Sequence, residues 1–378
     1  MKLLHIADLH IGKRFGEQSF SEDQAYILRQ ILDIVDSENP DAVLIAGDVY
    51  DRSIPSAEAV SLLDSFLTSL VSRSLSVIMI SGNHDSPERL AFGARIMEKN
   101  GVYIAPAYEG AVTPIFLRDE YGEVRVYALP FVRPAGVNAV HGAEASDYTE
   151  AVALAIREMK VDEGVRNVLL THQFIVGAER SESEEISVGG TDGVSASVLA
   201  PFDYVALGHL HAPQSVGASH IRYAGSPLKY SFSEEHHQKS VSIVELGAKG
   251  SCAIRTAPLT PLREMRTLRG SYEELMRLDY YRDTAYTRDY TRIILTDEED
   301  VPDGAARLRT VYKGLLLLHY DNARTARLAH PDAPTDVEEK TPTELFEELY
   351  QIQNNRPMSE TQRAIVNRLV KEIWSENE

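Results

Sequence analysis

An α/β fold is predicted, and two observations predict it. Over about the first 130 residues, short apolar runs alternate with segments of helical periodicity. Five apolar runs within the first 211 residues also end in short polar motifs rich in Asp, His and Asn. The alternation reads as LLHIAD, a helix over about 22–38, AVLIAGD, a helix over about 56–73, VIMIS and a helix over about 87–99. That is βαβαβ order, which implies parallel strands with helices on the sheet faces. VYALP and NVLLTH extend it, with a helix over about 148–160 between them, and YVALGH, IRYAG and SVSIVEL are later strands. The polar run Gly177–Gly193 reads as a loop near the site.

The texture changes near Leu259–Arg269, where Pro258 and Pro261 mark a boundary. Beyond it come strand MRTLRG, helix YEELMRL, strand RIILTD, helix ARLRTVY and strand LLLLHY, a small α+β module. Arg263, Arg266, Arg269, Arg282, Arg288, Arg292, Arg307 and Arg309 lie in or beside it. PDAPTDVEEKT, residues 331–341, reads as a polar linker. After it, Leu345, Phe346, Leu349 and Tyr350 fall at helical spacing, as do Ile365, Val366, Leu369, Val370, Ile373 and Trp374. Such a pair buries little by itself and suits docking into a partner's groove, with packing on its own body as the alternative. The expected organisation is an α/β domain over 1–258, a small α+β domain over 259–330, the linker 331–341 and a helical tail over 342–378.

The five motifs carry the chemistry. Asp8 and His10 end the first run, Asp48 and Asp51 follow the second, and Asn83, His84 and Asp85 the third. His172 ends the fourth, and His209 and His211 follow the fifth. Asp8 and His10 are two residues apart, so on an extended segment they point to one side, and His209 and His211 repeat the spacing. Alone, D-x-H, GD and the strand-end His172 are ordinary turn, helix-cap or strand-end signals, while GNHD and GHLH are more specific. Together, at the ends of strands, they read as a site for two divalent metal ions. Two cations roughly 3.5–4 Å apart clamp a phosphate and lower the pKa of a bound water. One carboxylate must bridge them, and Asp48, in the tight turn after a buried strand, suits that place. Neutral imidazoles and the Asn83 amide leave enough positive charge to bind an anion. The expected ligands are Asp8, His10, Asp48, Asn83, His172, His209 and His211. Mixed nitrogen and oxygen ligation suits Mn, Fe or Zn better than Ca and does not choose among those three; two Mn2+ ions are the working expectation. His84 adjoins a ligand without being one and is expected to protonate the leaving oxygen or stabilise charge on the phosphate.

These motifs resemble those of the calcineurin-like metallophosphoesterases. With YAGSPLKYSFSE (Tyr223–Glu234) and ELFEELYQIQNN, they resemble more narrowly the SbcD branch, bacterial nuclease subunits that work with an SbcC ATPase. The resemblance covers nearly the whole chain and is loosest over about 255–335. It implies a two-sheet sandwich flanked by helices, with the small α+β domain capping it and assisting DNA contact, and the tail binding the base of the SbcC coiled coil. It also implies one ion on Asp8, His10, Asp48 and His211, the other on Asp48, Asn83, His172 and His209, and His84 as the catalytic histidine. Many relatives place a second histidine just after GD. Here that position is Asp51, which is expected to orient a histidine ligand. A homodimer through the helices over 56–73 and 87–99 is implied as well, core packing being the alternative for their apolar residues.

Composition narrows the partners. The 378 residues are 43% hydrophobic, and no apolar run is long enough to cross a bilayer. One cysteine, Cys252, leaves no internal disulfide framework and, with no leader-like segment, points to the cytoplasm. A net charge of −19 is unlike that of a self-sufficient nucleic-acid binder. A partner would then supply DNA affinity, or the substrate would be a small phosphate compound. The expected function is a metal-dependent DNA exo- and endonuclease in double-strand-break and hairpin processing. A small-molecule phosphomonoesterase or cyclic nucleotide phosphodiesterase is the alternative, and a scaffold with a dead site the third reading.

Overall fold

The computed structural model describes residues 1–181, 192–323, 325, 341–354 and 357–375. These residues divide into two compact units, Met1–Met265 and Arg266–Glu378. The first unit is built on strands β1 (Lys2–Ile6), β2 (Ala42–Ala46), β3 (Ser76–Ile80) and β4 (Val102–Ile104). Further along are β5 (Ile115–Asp119), β6 (Gly122–Leu129), β7 (Arg166–His172), β8 (Tyr204–Gly208), β9 (Gln214–Val216) and β10 (Ala218–Tyr223). The last are β11 (Ser240–Leu246) and β12 (Cys252–Pro258). They form two six-stranded sheets, ordered β12-β11-β1-β2-β3-β4 and β9-β10-β8-β7-β6-β5. The strands predicted from βαβ order are parallel, and antiparallel edges make both sheets mixed.

Period-two burial explains why these strands form a sandwich. In β2, Val43 and Ile45 face helices α1 (Ser21–Glu38) and α2 (Ala57–Val71), packing with Ile27, Ile31, Leu63 and Phe66. Leu44 and Ala46 face the other sheet and meet Val124, Val126, Val168, Leu170 and Ala206. Both faces are therefore apolar, as strands covered on both sides require. Helices Pro134–His141 and Tyr148–Glu158 cover the outside of the second sheet through Val137, Val152, Ala155 and Leu169. The outcome is a helix–sheet–sheet–helix sandwich. The long helices over about 22–38, 56–73 and 148–160 form close to their predicted bounds.

Two helical regions of the first unit differ from the sequence expectation. The single helix predicted over 87–99 is broken into Pro87–Leu90, Ala94–Met97 and a 3-10 turn, because Gly93 turns left-handed at φ +74°. Pro134–His141 was not predicted, its apolar content being too sparse to show a helical stripe. The polar run Gly177–Gly193 lies largely outside the described residues, as does the linker 331–341 except for Thr341.

The second unit contains a three-stranded sheet ordered Met265–Gly270, Tyr290–Leu295, Gly314–Tyr320, the last two parallel. Its own core holds Leu268, Leu275, Ile293, Leu295, Leu308 and Tyr312. The helix expected over YEELMRL stops at Leu275 and another spans Leu278–Tyr281. Helices Pro342–Asn354 and Glu360–Ser375 pack together, with Gln362 donating to the Tyr350 hydroxyl at 2.8 Å and Arg363 paired with Glu347 at 2.5 Å. Phe346, Leu349, Ile365 and Leu369 nevertheless stay exposed. No helix among the described residues is long and apolar enough to cross a membrane.

Candidate metal centre

Each motif lies at the carboxyl end of its strand, in the crevice where α/β sheets bind ligands. The backbone leaves extended geometry abruptly there. Asp8, His10, Asp48 and His209 have φ of +52°, +43°, +45° and +102°. Non-glycine residues adopt such angles at a cost of order 1–3 kcal/mol each, and the surrounding structure must hold them. Hydrogen bonds between the turns do so. The Asp8 amide donates to Gly47 O and the His10 amide to Asp48 O. The buried Asp85 carboxylate accepts from the amides of Val49, Tyr50 and Gly82 at 2.9–3.0 Å, joining the GD and GNHD turns. Gly208 has no room for a side chain, since a Cβ there would lie 1.8 Å from Ala46 O.

All seven predicted ligands converge. Asp8, His10 and His211 offer ligand atoms within 4.8 Å of one another, and so do Asp8, Asp48 and His172. The Nε2 atoms of His10 and His211 face each other at 3.1 Å. His172 donates from Nδ1 to Ala46 O at 2.8 Å, which aims Nε2 at Asn83 Oδ1 (3.0 Å) and Asp48 Oδ2 (3.3 Å). His209 Nδ1 lies 3.1 Å from the same Asn83 oxygen. Asp48 sits between the groups, with Oδ2 3.7 Å from His10 and 3.3 Å from His172. His84 is half-buried at the mouth. Its amide donates to Asp48 Oδ1 at 3.0 Å, while its Nε2 is 4.0 Å from Asp48 Oδ2. Asp51 pairs with Lys13 at 2.8 Å, and at 3.7 Å from His10 Nδ1 it is beyond hydrogen-bonding distance.

The electrostatics suit a cation. Burial pushes the Asp8 carboxyl up to about 7. Burial also works to lower the His172 imidazole, but the Asp48 and Asp8 carboxylates override it and raise that group to about 9. Burial holds His10 well below its ordinary value and lowers His209 to about 3, so both stay neutral and able to donate lone pairs. Asp8 Oδ2 and His10 Nδ1 are buried with no hydrogen-bond partner in the protein. Two facing imidazole nitrogens, two carboxylates without a guanidinium or ammonium between them, and a buried carboxylate oxygen with no donor fit a pair of divalent ions.

Several contributors were not assigned from sequence. Glu234 Oε1 accepts from His211 Nδ1 at 3.0 Å, and Lys239 meets the other oxygen of Glu234 at 2.5 Å. Phe131 stacks on His209 with ring centroids 6.5 Å apart and planes 17° apart. Tyr230 meets both His10 and His211 edge-on. Asp85 had a signal, its place within GNHD. Glu234 lay inside YAGSPLKYSFSE but had no periodicity relating it to His211. Beside the cluster, Asn83 and His209 open onto a recess walled by Phe131, Tyr148 and Phe174 with Arg133 and Asp192.

Residues 1–213 match the family model for calcineurin-like phosphoesterases, and residues 261–354 match the SbcD C-terminal model, described as the type 5 capsule protein repressor C-terminal domain. Over 367 residues the chain is 33% identical to the SbcD protein of the nuclease SbcCD from Staphylococcus epidermidis, covering 94% of this chain and 96% of that protein. The corresponding protein of Staphylococcus saprophyticus is 34% identical over 323 residues, 84% of each chain. A crystal structure of a dimetal phosphatase from Danio rerio aligns at a TM-score of 0.41 and 13% identity over 68% of this chain and 95% of that one. With matches that span both parts of the chain, and the strand-end cluster in place, the protein belongs to the calcineurin-like phosphoesterase family, in its SbcD branch.

Proposed function

We propose that the chain is the nuclease subunit of an SbcCD-type complex and hydrolyses DNA phosphodiesters with two divalent ions, Mn2+ in the first instance. The observation that carries this reading is the convergence of Asp8, His10, Asp48, Asn83, His172, His209 and His211 from two sheets onto one crevice. Asp8, His10, Asp48 and His211 would hold one ion, and Asp48, Asn83, His172 and His209 the other. When bound, such ions polarise a phosphoryl oxygen and make hydroxide available at neutral pH. The chain's own residues do the rest. Asp48 serves both groups, held by the His84 amide. His84, its side chain 24% exposed beside Asp48, donates a proton to the leaving oxygen or stabilises charge on the phosphate. Aromatic rings and Arg133 at the recess suit a nucleotide flanking the scissile bond.

The same reading extends to partners and organisation. The net charge of −19 is offset if an SbcC-type ATPase supplies DNA affinity. Exposed Phe346, Leu349, Ile365 and Leu369 on two amphipathic helices suit docking on that partner. Val60, Phe92 and Ile96, exposed by 46, 83 and 72%, suit a homodimer contact. We place the catalytic domain at 1–258, a capping domain at 259–330, a linker at 331–341 and the partner-binding tail at 342–378, working in the cytoplasm. Several arginines near the capping region already have protein partners: Arg263 with Asp23, Arg266 with Asp289 and Arg269 with Asp321. That leaves less of the cluster for DNA.

The test is hydrolysis of end-labelled duplex and hairpin DNA by chelated and Mn2+-restored protein, beside p-nitrophenyl phosphate and its diester. DNA cleavage that appears only with metal is expected. Turnover of the monoester alone would replace the nuclease reading with a small-molecule phosphatase, and no turnover of any substrate would leave only a scaffold.

A further inference from the structure

The segment Tyr223–Lys239 contributes no proposed ligand, yet it touches the centre at several places. The Tyr223 hydroxyl donates to Gln173 O and accepts from the Ile175 amide, both at 2.8 Å, anchoring the chain just past His172. Gly225, at φ +76°, lets the Ser226 amide reach His211 O at 3.2 Å, where a Cβ would lie 2.7 Å from that oxygen. The Tyr230 hydroxyl donates to Leu9 O at 2.5 Å and accepts from Gln24, bracing the turn between Asp8 and His10. Glu234 is fully buried behind His211 and accepts from its Nδ1 at 3.0 Å. Lys239, also buried, donates to Glu234 (2.5 Å), Ser226 Oγ (2.8 Å) and His211 O (2.9 Å).

A buried Glu–Lys pair is a poor way to gain stability. Desolvating two charges costs several kcal/mol per ion, and apolar residues of similar volume are often as stable or more so. The pair does give two things an apolar pair cannot. A carboxylate on Nδ1 fixes which imidazole nitrogen carries hydrogen and which way the ring faces. A neighbouring ammonium offsets the extra negative charge behind the site.

We propose that Tyr223–Lys239 is a positioning clamp for the metal centre, in which Glu234 holds the Nδ1–H of His211 so that Nε2 presents its lone pair beside His10. Lys239 neutralises Glu234 and ties it to the His211 carbonyl. Tyr223 and Tyr230 hold the strand ends that carry His172, Asp8 and His10. This rests on the two-ion reading above and names positioning residues rather than catalytic ones.

Two double variants of the full chain isolate the hydrogen bond from the buried charge. Glu234→Leu with Lys239→Met removes both charges and the acceptor. Glu234→Gln with Lys239→Met removes both charges and keeps an acceptor oxygen. Mn2+ binding is measured by calorimetry, and metal-free melting is followed in parallel. The leucine variant is expected to lose about 10- to 100-fold in affinity for at least one Mn2+, while the glutamine variant stays close to wild type. Equal affinities in the two variants overturn the clamp. Should the leucine variant fail to melt cooperatively, Glu234→Asp takes its place: it keeps the charge opposite Lys239 but is one methylene short of Nδ1. The same loss supports the clamp, and wild-type affinity overturns it. A wild-type chain that binds no Mn2+ would instead sink the two-ion reading, and the clamp with it.

Discussion

The two ends of the catalytic sandwich both bury carboxylates, and they treat them in opposite ways. At the end away from the site, Asp119 meets Arg166, whose guanidinium also donates to Gly122 O and Gly247 O at 2.9 and 3.0 Å. That cation is part of the chain, so the pair is closed. At the site end, Asp8 and Asp48 face histidines, and Asp8 keeps a buried oxygen with no donor. The cation that balances them is not part of the chain. A built-in counter-ion gives stability, while a missing one leaves a binding site that costs stability until it is filled. Removing a carboxylate should therefore act on different properties at the two ends.

The largest effect is expected at the site. Asp48→Asn should lower DNA hydrolysis about a thousandfold or more, the several kcal/mol that a two-ion clamp supplies. Mn2+ should raise the melting temperature of wild type but not of this variant. Cleavage near the wild-type rate would show that the two ends are not different in kind. Next in size, His84→Ala should lose about 10²- to 10⁴-fold in turnover while calorimetry still finds bound metal. Loss of metal binding along with activity would make His84 part of the cation's cage.

The opposite end should respond in stability. Asp119→Asn is expected to cost about 3 kcal/mol, because it strands a buried guanidinium, with turnover per folded molecule unchanged. Hydrogen bonds from Arg166 hold the Asp119 carboxyl well below the usual carboxylate range. A depressed folded value means the stabilisation is complete above the ordinary carboxylate pKa of about 4. It is lost as pH falls from there toward the folded value. Denaturant melts over this acid range should therefore fall more steeply for wild type than for Asp119→Asn. Parallel curves would mean that the pair contributes nothing. The smallest effect on catalysis belongs to residues 342–378. Their deletion should leave metal-dependent cleavage of short DNA nearly intact and abolish co-purification with the ATPase partner. A fall in the melting temperature of the catalytic unit would show that the tail serves this chain's own fold.

How much was legible in sequence follows from range. Asp8 with His10, and His209 with His211, could be read because dyad spacing on extended chain is a local rule. Asp48, Asn83 and His172 could be read because each closes an apolar run, and strand ends are where α/β sheets gather ligands. The helices Ser21–Glu38 and Ala57–Val71 carry enough apolar positions to show a 3.6-residue period. The stretch 87–99 carries the same kind of residues, but the chain turns left-handed at Gly93 and splits the helix there.

Tertiary structure alone decided the rest. His211 and Glu234 are 23 positions apart and no periodicity relates them, so their bond exists only because the chain doubles back after Tyr223. Asp119 and Arg166 became partners through the pairing of β6 with β5 and β7. The arginines near the capping region looked equivalent in sequence, and only the folded chain distinguishes those already held by Asp23, Asp289 and Asp321. Sequence determined which side chains have the chemistry to hold cations, because residue type and local spacing are properties of the chain itself. Folding decided which charges are answered from within the protein and which are left for an ion, because that depends on neighbours brought from far along the chain into a space with no water.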